Sequence, residues 1–218
     1  MKSAFIRRLF VALALALGLQ AASYKLETRY TIGGTEGWDY ITVDAAGRRI
    51  YVSHGVRVNV LDADTGKSVG VIEDTPGVHG IAIAGALGHG FTSNGKENKV
   101  SMFNTSDLAL IKKIEVGHGP DGIYYDAKTD RLFTNNHGSH NITAIDATKG
   151  EVLGTVEVGG NGEGAGVGKD GLIYVALEFH GPATNLISAA FIQFPLASTV
   201  ARPNPPAFSR VLETRLGE

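Results

Sequence analysis

A stretch of about 42 residues recurs through this chain, and it limits the possible folds more than any other feature. Asp39-Tyr-Ile-Thr-Val-Asp leads to Ile50-Tyr-Val-Ser-His, and His79-Gly-Ile-Ala-Ile-Ala leads to Gly90-Phe-Thr-Ser-Asn. Asp121-Gly-Ile-Tyr-Tyr-Asp leads to Leu132-Phe-Thr-Asn-Asn, and Glu163-Gly-Ala-Gly-Val-Gly leads to Ile173-Tyr-Val-Ala-Leu. The starts lie 40, 42 and 42 residues apart.

The third copy shows what one unit encodes. Ile123 to Tyr125 is a short strand and Asp126-Ala-Lys-Thr-Asp130 a turn. Arg131 to Asn135 is a second strand, whose aromatic Phe133 recurs as Tyr51, Phe91 and Tyr174. A polar loop, Asn136 to His140, leads to a third strand at Ile142 to Ile145. The turn Asp146-Ala-Thr-Lys-Gly150 then leads to a fourth strand at Val152 to Val158. An Asp at the head of such a turn accepts from backbone N–H groups two residues on. Period-two apolar patterning over four short strands makes a meander sheet. Such a sheet exposes two faces and two edges and is not stable alone, so neighbouring copies must cover one another. The predicted class is all-β, a β-propeller of four-stranded antiparallel blades with about three and a half blades present.

The chain begins with Lys2, Arg7 and Arg8, then an unbroken apolar run from Leu9 to Leu19, then small residues at Ala21, Ala22 and Ser23. This is the plan of a secretory signal peptide over residues 1–22, too short to span a bilayer comfortably. Its removal takes the formal net charge from −2 to −5. A mildly acidic body argues against a nucleic-acid surface. There is no cysteine, which excludes a disulfide framework and a thiolate metal site. Periplasmic or secreted export is the expectation, with no transmembrane segment after cleavage.

Residues 23–178 hold the repeats. Ahead of the first copy, Tyr30-Thr-Ile-Gly-Gly34 matches Val156-Glu-Val-Gly-Gly160 at the end of a fourth strand, so an outer strand is predicted there. Residues 179–218 keep no repeat register. Asn185-Leu-Ile-Ser is at most a weak third strand, and the prolines of Ala201-Arg-Pro-Asn-Pro-Pro206 cannot lie in a central strand. The break is read as truncation of a longer propeller. A half-ring closed by oligomerisation and a divergent fourth blade are the other readings.

The third copy carries a specific signature: Val116-Gly-His-Gly-Pro-Asp-Gly, Arg131-Leu-Phe-Thr-Asn-Asn, Asn141-Ile-Thr-Ala-Ile-Asp and Thr155-Val-Glu-Val-Gly. In order and register this resembles the YVTN repeat, and Trp38-Asp-Tyr-Ile-Thr-Val-Asp with Tyr51-Val-Ser-His-Gly resembles the opening of exported YncE-like members. The resemblance covers about residues 24–178. It implies an exported propeller, typically seven-bladed, without an assigned reaction in most members.

In a propeller the first strand lies nearest the axis, so equivalent residues of successive blades converge. Asp39, His79, Asp121 and Glu163 occupy one such position; His54, Asn94 and Asn136 occupy another. His118, His137, His140 and Glu178 lie close by in sequence. Carboxylates suit a general base, with Asp39, Asp121 and Glu163 as candidates. His54, His79, Asn94, His118 and Asn136 are candidate ligand-binding residues. Imidazole beside carboxylate suits a divalent metal ion, for which His79, Asp121, His137 and His140 are candidates.

The glycines from Gly159 to Gly168 lack the following helix that a nucleotide fingerprint needs, since Leu172-Ile-Tyr-Val reads as a strand. No nucleophile elbow is present. The expected function is a binding or scaffold module taking a small molecule, metal or peptide on the axial face. The alternatives are a metal-assisted lactonase-type hydrolase and a non-functional truncated remnant.

Overall fold

The computed structural model describes residues 25–168, 172–178, 188–193 and 208–212; the expected signal peptide lies outside them. Two units separate along the chain, Met1–Gly34 and Thr35–Glu218. In the first, residues 25–34 form no strand, so the outer strand expected at Tyr30 to Gly34 is not found. A strand exists through its hydrogen-bonded neighbour, and no described strand pairs with this segment.

The second unit is four antiparallel four-stranded sheets, each a meander. Blade 1 is β1 (Trp38–Asp44), β2 (Arg49–His54), β3 (Arg57–Asp62) and β4 (Ser68–Ile72). Blade 2 is β5 (Val78–Ala84), β6 (His89–Asn94), β7 (Lys99–Asn104) and β8 (Leu110–Glu115). Blade 3 is β9 (Pro120–Asp126), β10 (Arg131–Asn136), β11 (Asn141–Asp146) and β12 (Glu151–Glu157). Blade 4 is β13 (Asn161–Val167), β14 (Ile173–Glu178), β15 (Ser188–Gln193) and β16 (Phe208–Leu212). The first strands β1, β5, β9 and β13 adjoin in that order, which makes the sheets successive blades of a partial β-propeller. Among the described residues there is no α-helix and no helix able to cross a membrane.

Blade 4 differs from its sequence reading. β15 and β16 come from the stretch expected to lack repeat register, yet β14 pairs with β15 from Ile173↔Ile192 to Leu177↔Ser188, and β15 pairs with β16. A hydrogen-bond ladder requires extended backbone and a neighbour, not the turn residues that made earlier copies recognisable. Among the described residues the sheets therefore number four, where the sequence offered about three and a half. The Pro-rich run at 201–206 lies outside the described residues.

Turn chemistry follows the sequence. Asp62 Oδ1 accepts from the N–H groups of Asp64 and Thr65, Asn104 Oδ1 from Ser106, and Asp146 Oδ1 from Thr148 and Lys149.

The apolar core lies between blades rather than within them. Tyr51, Val58, Val60 and Ile72 of blade 1 pack on Val78, Ile81 and Phe103 of blade 2. Phe91, Val100, Met102 and Ile114 of blade 2 meet Ile123, Leu132 and Ile145 of blade 3. Phe133, Ile142, Ala144 and Val156 of blade 3 meet Ile173, Val175 and Leu177 of blade 4. The recurrent second-strand aromatic is thus a wedge against the next blade, as the repeat predicts. Burying such a side chain is worth about 1.5–3 kcal/mol, and each junction collects several. Gly90 has a packing reason of its own: a Cβ there would run into the Phe103 ring.

Candidate functional site on the axial face

Each first strand carries a β-bulge at the same place. Trp38 pairs with His54 and Ile41 with Val52, so Asp39 and Tyr40 together oppose the single residue Ser53. By the same count His79-Gly80 oppose Ser93, Asp121-Gly122 oppose Asn135, and Glu163-Gly164 oppose Ala176. A bulge re-aims side chains and increases local twist. Four blades therefore present Asp39, His79, Asp121 and Glu163 at the axial end of one repeated distortion.

In blades 1 and 2 the residue opposite the bulge satisfies the backbone that the bulge leaves unpaired. The Tyr40 N–H donates to Ser53 Oγ at 2.7 Å, and the Ser53 hydroxyl donates to the Tyr40 carbonyl at 3.1 Å. The Gly80 N–H donates to Ser93 Oγ at 2.9 Å, and that hydroxyl also donates to the Asp121 carbonyl of the next blade. Asn135 Nδ2 donates to the Glu163 carbonyl at 2.7 Å, and the Tyr124 hydroxyl donates to the same oxygen at 2.5 Å. The bulges of blades 3 and 4 are thus gripped by the blade before each. Ser53, Ser93 and Asn135 were not among the sequence candidates. Their signal was a polar residue recurring at the fifth place of the second strand in the first three copies.

The bulge side chains pair across blade boundaries. His79 Nδ1 lies 2.7 Å from Asp39 Oδ2. His137, in a 3₁₀ turn after β10, lies 2.8 Å from Glu163 Oε1 through Nε2 and 4.0 Å from Asp121 Oδ2 through Nδ1. The Nε2 contact is close but out of line for a hydrogen bond. Two backbone bonds hold that turn on the loop before β9: the N–H of His137 to the Gly119 carbonyl and of Gly138 to the His118 carbonyl, both at 2.9 Å.

Tyr40, where the later blades have glycine, reaches Asp121 two blades away. Burial raises its phenol above the usual range, followed by the charges of Asp121, Asp39 and Glu163, and its hydroxyl hydrogen-bonds Asp121. Tyr124 is raised too, mainly by burial. A neutral phenol in a field of three carboxylates remains a hydrogen-bond donor. Trp38, Asp39, His79, Lys96, Asp121 and His137 line a cavity of ≈ 530 Å³ on this face, a size usual for a small-molecule site.

The second equivalent position does not join them. Asn94 is wholly buried; its Nδ2 donates to Ser101 Oγ and Glu97 Oε1, both at 2.7 Å, and its Oδ1 accepts from Thr92 Oγ1 at 2.8 Å. Asn136 donates to Asn141 Oδ1 and Thr143 Oγ1, both at 2.9 Å. His54 is buried, stacks on Trp38 at 3.7 Å between centroids, and lies 3.1 Å from Asn59 Oδ1 and from Glu36 Oε2. Asn94 and Asn136 tie the second strand of a blade to its third, and His54 does the same through Asn59. These side chains turn into the blade because the last residue of that strand lies in the sheet's own ladder, away from the bulge.

His118 and His140 are exposed and do not line the cavity. His140 takes a left-handed conformation at φ 52°, and its carbonyl accepts from Val158 and Gly159. Among the described residues no group of three or more His, Asp or Glu side chains is arranged to hold a metal ion. The metal candidates His79, Asp121, His137 and His140 are accordingly not gathered on one centre.

No protein-family model and no curated protein matches the chain. Among solved structures, it is similar to a chain of Kuenenia stuttgartiensis hydrazine synthase, with a TM-score of 0.69 and 20% identity over 87% of this chain. That match spans 53% of the other chain, about half its length. At such identity the likeness is one of fold.

Proposed function

We propose that this chain is an exported propeller module of the YVTN-repeat type that binds a small polar molecule or peptide on its axial face. The observation that carries the reading is the fourfold bulge, which sets Asp39, His79, Asp121 and Glu163 around one end of the blades beside a cavity of ≈ 530 Å³. One fold hosts many functions, so the argument rests on the site and not on the propeller. Three carboxylates favour a ligand rich in hydrogen-bond donors, and Lys96 adds a donor for its acceptors. Export rests on Lys2, Arg7, Arg8 and the Leu9–Leu19 run, and places the site in the periplasm or outside the cell. Calorimetric titration with amino acids, short peptides, polyamines and sugars tests the reading. Saturable binding lost in Asp121→Asn is expected, and no binding across that panel sinks it.

A hydrolytic reading of the same face is favoured by one contact, the Asp39 carboxylate on His79 Nδ1. A carboxylate so placed fixes the tautomer and orientation of an imidazole, as a general base requires. Lactone turnover abolished by His79→Ala supports this reading; a wholly inactive chain that still binds a ligand refutes it.

A further inference from the structure

Among the described residues lining the axial cavity, Lys96 is the only lysine or arginine. The lysines near it in blade 2 are matched: Lys113 lies 2.8 Å from Glu97 and 2.9 Å from Asp74, and Lys99 lies 2.9 Å from Glu115. Glu97, next to Lys96 in the chain, also accepts from the buried amide of Asn94. Lys96 itself makes no ion pair among the described residues. An unpaired lysine is ordinary on an open surface, but this one stands on the wall of a cavity beside Asp39 and Asp121.

Its place is fixed by the backbone beneath it. Lys96 lies on the turn between β6 and β7, where the Gly95 N–H donates to the Gly77 carbonyl at 2.8 Å and the Lys96 N–H to the Pro76 carbonyl at 3.3 Å. Gly77 takes φ 65°, and a Cβ there would meet Lys96 Cγ at 2.7 Å, so the lysine stem rests on a residue that only glycine suits. A Cβ on Gly95 would meet His79 Nε2 at 2.9 Å and the Pro120 carbonyl at 3.4 Å. The turn therefore abuts the His79 ring on one side and, on the other, the residue before Asp121. His79 occupies Asp39 Oδ2, and Asp39 Oδ1 has no hydrogen bond among the described residues. A cation of blade 2 thus shares the cavity with acids of blades 1 and 3 and is paired to neither.

We propose, on the premise that the axial face is a binding site, that its ligand is a small zwitterion, with its ammonium on Asp39 and Asp121 and its carboxylate on Lys96. Free amino acids and short peptides carry both groups. An amine brings a like charge to Lys96, an acid without an ammonium brings one to Asp39 and Asp121, and a neutral sugar answers none of the three. Repulsion of the half-matched molecules makes the site selective as well as attractive.

Calorimetric titration of the twenty standard amino acids and their glycyl dipeptides, beside the matching amines without the carboxylate and acids without the ammonium, tests this. At least one zwitterion should bind about tenfold or more tighter than both of its analogues, the scale of one charge-assisted hydrogen bond. Trp38, the single tryptophan, lines the same cavity, so its emission should shift on binding. Lys96→Met keeps most of the stem and should weaken the zwitterion about tenfold or more while strengthening the matching amine, because a like charge is gone. Loss of fold cannot produce that crossed result. A zwitterion bound no tighter than its amine, a fall of both together in Lys96→Met, or binding that leaves the Trp38 emission unchanged overturns the proposal. Polyamines or sugars binding alone, with saturation lost in Asp121→Asn, overturn it and leave the axial-face reading standing. Absence of binding by every compound, polyamines and sugars included, removes both.

Discussion

His79 Nδ1 lies 2.7 Å from Asp39 Oδ2, and the two residues belong to the first strands of adjacent blades, at equivalent places in the repeat. Both side chains are part exposed at the cavity wall, so the pair contributes little to stability, about 0–1 kcal/mol. Asp39→Asn should therefore leave the urea midpoint nearly unchanged while weakening ligand binding on the axial face. A stability loss well above 1 kcal/mol would show the pair to be structural.

Asn94 should behave oppositely. Its amide meets Thr92, Glu97 and Ser101 inside blade 2 with no exposure, and Asn94→Ala strands those partners. A loss of about 1–3 kcal/mol by urea denaturation is expected, with ligand affinity retained in the folded fraction.

Phe91 is the wedge of the second junction, wholly buried among residues of blades 2 and 3. Phe91→Ala should cost about 3–5 kcal/mol, and chemical denaturation gives the value. At the equivalent Tyr174, which is 37% exposed, the same truncation should cost less. Equal costs would mean that the two positions are packed alike.

Alkaline pH should weaken the fold in a defined window. The Tyr125 hydroxyl is pushed up to about 12, mainly by burial and then by its hydrogen bond to Asp130, at 2.6 Å. In the unfolded chain a tyrosine titrates near 10. Its contribution is thus complete below about pH 10 and is lost as pH rises toward 12, because the unfolded state releases its proton first. Thermal melts of Tyr125→Phe should fall less between pH 10 and 12 than those of the parent. Tyr40 and Tyr124, raised in the same direction, keep part of the alkaline loss in the variant.

Legibility in the sequence followed how directly each feature depended on local pattern. Strand by strand, the third copy reads out as β9 to β12 within three residues at each end, since period-two alternation and Asp-headed turns are local properties. The fourth blade was half hidden, because β15 and β16 are held by pairing rather than by turn signals. At the site, the converging position Asp39, His79, Asp121 and Glu163 was visible as a column in the repeat. Tyr40 was not, because it departs from the glycine of the later copies and reaches across a blade to Asp121. His54, Asn94 and Asn136 read as a second recurring position on the same face, yet their side chains close hydrogen bonds within their own blades.

The sequence by itself determined the blade: its four strands, its turns, and the side chains that recur at each place, all set by short-range alternation and turn preference. Only the tertiary structure decided which recurring residues meet. The bulge opposes two residues to one and directs the first column toward the axis, while the regular ladder one residue away keeps the second column inside the sheet. That choice depends on hydrogen-bond register between strands, which no alternation of apolar and polar residues within a single strand specifies.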